Sequence, residues 1–318
     1  MIKFLLTILC CLLLFLIGCN STGSNQENYQ SLPIAIPPNK LLNHFQLLSS
    51  DTFQGRKVST EGNLNAQKYI IEQFTQYSIL PFKEKFVHPF NYNVAFGQKT
   101  GNNLIALIKG SQKKRGYIVL TAHFDHLGVK GNRIFNGADD NASGTSALLS
   151  IAEQLNKTPL KHSVIVIFTD AEESGLKGSK AFIEENHDLL SHIKLNINMD
   201  MLAGSKRSKN LHYIFRGLDK LLSIEKLEQF QQNHLYQELP IVKGFRRKRH
   251  TLNKRINWLL ASDHGVFHQN EIPFIYYGVG THQNYHSQRD EFSNTNHQLL
   301  VNSTNAIFQQ LLFLDQQI

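Results

Sequence analysis

Residues 117–126 read Tyr117-Ile118-Val119-Leu120-Thr121-Ala122-His123-Phe124-Asp125-His126, a strand-forming run that passes directly into two histidines and an acid. A continuous apolar run of this kind is the pattern of a strand buried on both faces, as at the centre of a parallel sheet. Ligand sites in open α/β sheets lie beyond the carboxyl ends of the strands, so the acid and histidines here stand where chemistry is expected. The arrangement recurs along the chain. Residues 163–168 run into Thr169-Asp170-Ala171-Glu172-Glu173-Ser174-Gly175, residues 194–198 into Met199-Asp200, and residues 273–277 lead through a glycine-rich turn to Tyr285-His286. A further strand-like run lies at 103–108. Helical periodicity appears at Leu41, Leu42, Phe45 and Leu48, at Leu64, Ile70, Ile71 and Phe74, and over 145–155, 176–185 and 296–314. Strands alternating with helices predict an α/β fold whose sheet is covered on both faces.

With 318 residues, 41% of them hydrophobic and 18% charged, the chain has enough material for a full core. That composition excludes a disordered polyelectrolyte, a collagen and a multi-span membrane protein. All three cysteines, Cys10, Cys11 and Cys19, fall in the first nineteen residues, so the remainder has no pair to form a disulfide. Lys3 is followed by an apolar run over 4–17, shorter than the roughly 20 residues of a membrane span and of signal-peptide length. The ending Leu16-Ile17-Gly18-Cys19 resembles a bacterial lipobox, which implies cleavage after a 1–18 signal peptide and lipidation of Cys19. Asn20 is not the Asp that holds such lipoproteins at the inner membrane. The expected location is therefore the bacterial cell envelope, lipid-anchored through Cys19 at the outer membrane and facing the periplasm or the outside, with 19–38 as a flexible tether of roughly 25 Å reach. Residues 39–318 are expected as a single domain, with an insertion between Asp200 and Ser262 at about 205–261. Its one helical pattern covers 218–230.

Between the first two strand ends lies Asn136-Gly137-Ala138-Asp139-Asp140-Asn141-Ala142-Ser143-Gly144, an acidic turn bounded by glycines just before a helix. Taken singly, a His-x-Asp is usually a surface pair, an Asp-Asp turn a helix cap, and a Glu-Glu pair a solvated face. Their joint placement at strand ends is what carries weight. In one cleft, Asp125, Asp139, Asp140, Glu172, Glu173 and Asp200 would repel one another without a cation, and two divalent ions remove that conflict.

The strings 121–128, 136–144, 171–179, Asn198-Met199-Asp200-Met201, Ser262-Asp263-His264 with Phe267, and Tyr285-His286-Ser287 together resemble the co-catalytic zinc aminopeptidases of peptidase clan MH, metallopeptidase family twenty-eight. The likeness runs from about Leu41 to Leu314, with Gly55-Arg56 and Thr60-Glu61-Gly62 resembling the family's N-terminal segment. It implies a zinc exopeptidase-like fold, α/β with a mixed, mostly parallel central sheet. It also implies two Zn²⁺ per chain, one held by His123 and Asp200, the other by Glu173 and His286, with Asp140 bridging. Three carboxylates against two zinc ions leave one positive charge for a bridging hydroxide to neutralise. By the same resemblance Glu172 is the general base and acid, Asp125 orients the imidazole of His123, and Tyr285 polarises the scissile carbonyl.

The activity implied is removal of residues from peptides with a free N-terminus. The alternative within the fold is a glutaminyl cyclase-like acyltransferase with one zinc; a non-catalytic receptor-like relative is disfavoured because no ligand position is empty. Ser262-Asp263-His264 is not read as a hydrolase triad, since consecutive residues do not face one another. Beyond Lys3 the formal charge of +8 becomes +7, and Lys243, Arg246, Arg247, Lys248, Arg249, Lys254 and Arg255 account for all of it. This basic run over 243–255 is expected to meet solvent, anionic lipid or acidic peptides. No aromatic stacking pattern accompanies it, and nucleic acid is not expected as a partner.

Overall fold

The computed structural model describes residues 35–112, 115–232, 239–245 and 256–318. The leader with Cys19, most of the tether and residues 246–255 of the basic run lie outside the described residues. The chain begins with helices α1 (Pro38–Leu48) and α2 (Glu61–Gln76), the short strand β1 (Leu80–Pro81) and a hairpin of β2 (Val87–Val94) and β3 (Gly97–Ile108). Then follow β4 (Tyr117–His123), a small hairpin of β5 (Gly128–Lys130) and β6 (Arg133–Phe135), α3 (Gly144–Lys157), β7 (Ser163–Thr169), α4 (Lys177–Glu185) and β8 (Ile193–Met199). The last elements are β9 (Leu211–Arg216), α5 (Ile224–Gln231), β10 (Ile241–Lys243), α6 (His264–Gln269), β11 (Phe274–Gly278) and α7 (His297–Gln317).

Among the described residues, nine strands form the main sheet. β7, β4, β8 and β11 lie side by side and parallel at its centre, so the sheet is mixed with a parallel middle, as the sequence resemblance implies. On the β7 side, β3 runs antiparallel and carries β1 and β2; on the β11 side, β9 runs antiparallel and carries β10. The chain passes from β4 to β7 on one side and then to β8 on the other. The carboxyl end of β4 therefore sits at the point where the winding reverses, the place where open α/β sheets leave a crevice.

Side chains alternate across the pleat into two cores. Ile118 and Leu120 of β4, and Val164, Val166 and Phe168 of β7, pack on the face covered by α1, α2, α3 and α7. Val119, Ile165 and Ile167 enter the opposite core with Phe182 and Ile183 of α4 and Phe267 of α6. Burial on both faces is why these strands read as unbroken apolar runs. Helix starts follow local chemistry: Pro38 occupies the first turn of α1, and the Asn296 side chain accepts from Leu299 N at the start of α7.

Two stretches differ from the pattern reading. The expected helix over 218–230 is reduced to α5, and β9 and β10 of the same stretch add to the sheet edge instead. β3 starts at Gly97 and pairs with β2, forming a hairpin with polar residues on its open face. Neither β2 nor β9 is covered on both sides, and their mixed burial leaves no continuous apolar run. The described residues form one compact unit.

Candidate metal centre

The four parallel strands deliver their polar ends to one rim. His123 closes β4, Asp200 follows β8 directly, Glu172 and Glu173 follow β7, and His286 comes from the loop after β11. Asp140 comes from the irregular turn Ala138–Ser143 that leads into α3. His123 Nε2 lies 3.3 Å from Asp140 Oδ1 and 3.4 Å from Asp200 Oδ1. His286 Nε2 lies 3.1 Å from Asp140 Oδ2 and 3.2 Å from Glu173 Oε1. Each oxygen of Asp140 thus faces a different imidazole.

Donor atoms of His123, Glu172 and Asp200 lie within 4.8 Å of one another, as do those of His126, Asp140 and Glu173, giving two groups able to hold a metal ion. Asp140 Oδ2, Glu173 Oε1 and Asp200 Oδ1 are buried without a hydrogen bond. An ion at each group would satisfy them. In a tetrahedral zinc site with bonds of about 2.0–2.1 Å, neighbouring donors stand about 3.3 Å apart, and the spacings above match. Nitrogen and carboxylate donors without thiolate suit zinc and its neighbours among the divalent metals. The donor set therefore fits the zinc pair that the sequence resemblance implies.

Surrounding groups hold these side chains in place. The Asp290 carboxylate accepts from the N–H groups of Asp139 (2.9 Å) and Asp140 (3.0 Å). Asp139 Oδ1 accepts from Ala203 and Gly204 N–H, and Asp139 Oδ2 pairs with His282 Nε2 at 2.8 Å. The Asn141 amide reaches His123 O and Met199 O, tying the acidic turn to β4 and β8. Gly144 belongs there because a Cβ would stand 2.4 Å from Met199 O. Ala171, Met201 and His286 have φ of 56°, 65° and 53°, left-handed conformations at the rim that the surrounding contacts must enforce.

Asp125 faces His123 with both its main chain and its carboxylate. His123 Nδ1 hydrogen-bonds to the Asp125 main-chain oxygen at 3.1 Å, while the Asp125 carboxylate is 3.7 Å from that nitrogen. Asp125 Oδ1 instead accepts from Glu172 N at 3.0 Å, so the carboxylate clamps the turn bearing Glu172. The carbonyl reaches the ring first because Asp125 is only two residues beyond it.

Electrostatics follow from crowding acids in a buried place. Burial and the charges of Asp200, Asp263 and Glu173 push the Glu172 carboxyl well up, against the pull of His123. Burial likewise raises Asp200. Burial opposes ionisation of Asp140 too, yet the adjacent imidazoles of His123 and His286 hold it well below the usual carboxylate range. Burial lowers His286, but Asp140 and Glu173 outweigh it and bring the imidazole up to about 10. Protons thus take the place that cations would fill.

Tyr285 stacks on His286, with ring centroids 3.8 Å apart, and is 37% exposed at the mouth. Ser262, Asp263 and His264 do not bond one another: Ser262 Oγ accepts from Asn198, Asp263 Oδ2 from Thr169, and His264 meets Trp258 O through Nε2 and Asn198 through Nδ1. His126 is the residue that sequence reasoning left without a role, although it stands beside Asp125 in the decisive string. Asp290 and Arg56 were also unassigned, since their partners are remote in sequence.

A family model for peptidase family M28 matches residues 103–311. Aminopeptidase YwaD of Bacillus subtilis (strain 168) is 33% identical over 122 residues, 38% of this chain and 26% of that protein. The chain spans about half the length, or less, of the curated relatives it matches first. Among solved structures, an aminopeptidase from Aneurinibacillus sp. strain AM-1 superposes with a TM-score of 0.63 at 17% identity, covering 87% of this chain and 93% of that one. An Acidobacteriales bacterium glutaminyl cyclase superposes with a TM-score of 0.71 at 20% identity, covering 91% and 98%.

Proposed function

Since the chain belongs to peptidase family M28, we propose that it is a zinc-dependent aminopeptidase with two metal ions, removing residues from the free N-terminus of peptides. The observation supporting this reading is the position of Asp140, whose two oxygens face two imidazoles at 3.3 and 3.1 Å. A one-metal centre needs no carboxylate shared in this way. His123, Asp200 and Asp140 would hold one ion, and Glu173, His286 and Asp140 the other. Bound zinc supplies Lewis acidity and lowers the pKa of water in the site from about 15.7 toward 7.

The chain's own residues do the rest. Glu172 takes a proton from the attacking water and returns it to the leaving amine as the C–N bond breaks. The clamp from Asp125 to Glu172 N keeps that carboxylate turn in place. Burial keeps the Tyr285 hydroxyl protonated far above neutral pH, so it donates to the scissile carbonyl oxygen as negative charge develops there.

A second reading, a one-zinc glutaminyl cyclase, is favoured by the likeness of fold to such an enzyme. Metal analysis together with a panel of aminoacyl chromogenic substrates and an N-terminal glutaminyl peptide separates the two. The aminopeptidase reading expects two ions per chain and chelator-sensitive release of amine. In Glu172→Gln both ions stay while turnover falls about 1,000-fold or more. One ion per chain with cyclisation of the glutaminyl peptide would overturn it.

A further inference from the structure

We infer that His126 is a further metal-binding residue of this protein, joining Asp140, Glu173 and His286 in a four-residue donor set for the second ion. The inference deepens the two-metal reading above and rests on it. His126 lies just beyond β4, and its side chain is fully buried, with 0% exposure. Its Nδ1 stands 3.0 Å from Glu173 Oε1 and 3.7 Å from Asp140 Oδ2, within the group of donors that lie together at this end of the centre. The ring meets that of His286 edge-on, with centroids 5.8 Å apart.

Neither ring nitrogen of His126 makes a hydrogen bond, and the facing atoms Glu173 Oε1 and Asp140 Oδ2 make none either. A buried imidazole left so costs about 1–3 kcal/mol. Three unpartnered donors from three segments, aimed at one point, are accounted for by an ion shared among them. His123 offers the contrast: its Nδ1 is occupied by Asp125 O, leaving Nε2 to face Asp140 and Asp200. His126 has no such second partner and turns Nδ1 inward. Space for its ring is made by Gly137, where φ is +57° and a Cβ would stand 2.4 Å from two ring atoms.

With His126 included, the second group carries two imidazoles where the first carries one. Additional nitrogen donation favours zinc, cobalt and copper over magnesium or manganese. The second ion is then held more tightly than the first, and chelators strip the two in sequence.

The test uses the full-length chain loaded with Co²⁺ or Zn²⁺, with affinities read by competition against a chromophoric chelator. His126→Ala is expected to bind one ion as the wild type does and the other about 100-fold more weakly or worse. His126→Cys is expected to regain that ion and to add a thiolate-to-cobalt charge-transfer absorption in the near ultraviolet. The wild-type chain, carrying the same Cys10, Cys11 and Cys19, supplies the baseline. Unchanged affinity for both ions in His126→Ala, or no added band in cobalt-loaded His126→Cys, overturns the assignment while leaving the two-metal reading intact. A wild-type chain that binds fewer than two ions overturns the two-metal reading itself, and the assignment with it.

Discussion

Arg56 shows how far one side chain can reach in this protein. It is wholly buried, and its guanidinium donates to the main-chain oxygens of Phe124, Leu48, Asn136 and Gly137 at 2.5–2.9 Å. Two of those oxygens lie just before the turn that carries Asp140, and one follows His123. Burial lowers its pKa to about 10, against the pull of Asp290, Asp140, Asp125 and Glu173, so it remains a cation under an acidic cluster. A lysine presents no rigid fork to four carbonyls. Arg56→Lys should therefore lose about 3 kcal/mol or more of unfolding free energy, with weaker metal retention, as measured by denaturant titration and metal analysis. A midpoint equal to the wild type's would show that the four bonds carry no net stability. Gly55-Arg56 is visible in the sequence as a family string, but its partners lie up to 81 positions away. The same distance effect explains why the sequence shows Asp125 as important yet not that its carboxylate serves Glu172.

Helices α1 and α2 meet through His44, whose Nδ1 accepts from Tyr69 O–H (2.5 Å) while Nε2–H donates to Tyr77 Oη (2.9 Å). Tyr77 donates its own O–H to Gln73 Oε1, so one neutral tautomer satisfies the chain of bonds. Burial, with Lys40 adding, lowers the His44 pKa from 6.5 to about 4, only partly opposed by Glu153. A folded-state pKa below the unfolded value means that the unfolded chain binds the extra proton between pH 6.5 and 4. The stabilisation is thus complete above about pH 6.5 and is lost as pH falls toward 4, by about 3 kcal/mol. His44→Gln should flatten that part of the stability-pH curve relative to the wild type in urea titrations run at successive pH values. Parallel curves for the two proteins would refute the linkage. Elements of this kind were partly legible: α1, α3, α7 and the central strands announce themselves by period, because each has a fixed apolar face or two. β9 and β10 did not, since pairing with a sheet edge asks little of side-chain pattern.

The molecule as a whole is a covered sheet with uncompensated acid at the carboxyl end of its middle strands. Cations bound there would stabilise the folded chain by mass action, about 4 kcal/mol per ion at a thousandfold excess over the dissociation constant. Removal of metal with a chelator should lower the melting temperature by about 10 °C, and restored zinc should return it. A chelated protein that melts with the untreated one would mean that no ion contributes to the fold. Of the basic run, Lys243 is placed, bonded to Gln231 and set over the Phe215 ring. By itself the sequence determined the α/β class, the central strands and the acids and histidines at their ends, because burial on two faces and a polar strand end both leave local marks. Tertiary structure alone decided the strand order, the sharing of Asp140 between two imidazoles, the inward turn of His126 and the partners of Arg56 and Asp290. These depend on distances between segments far apart in the chain, and no local pattern encodes them.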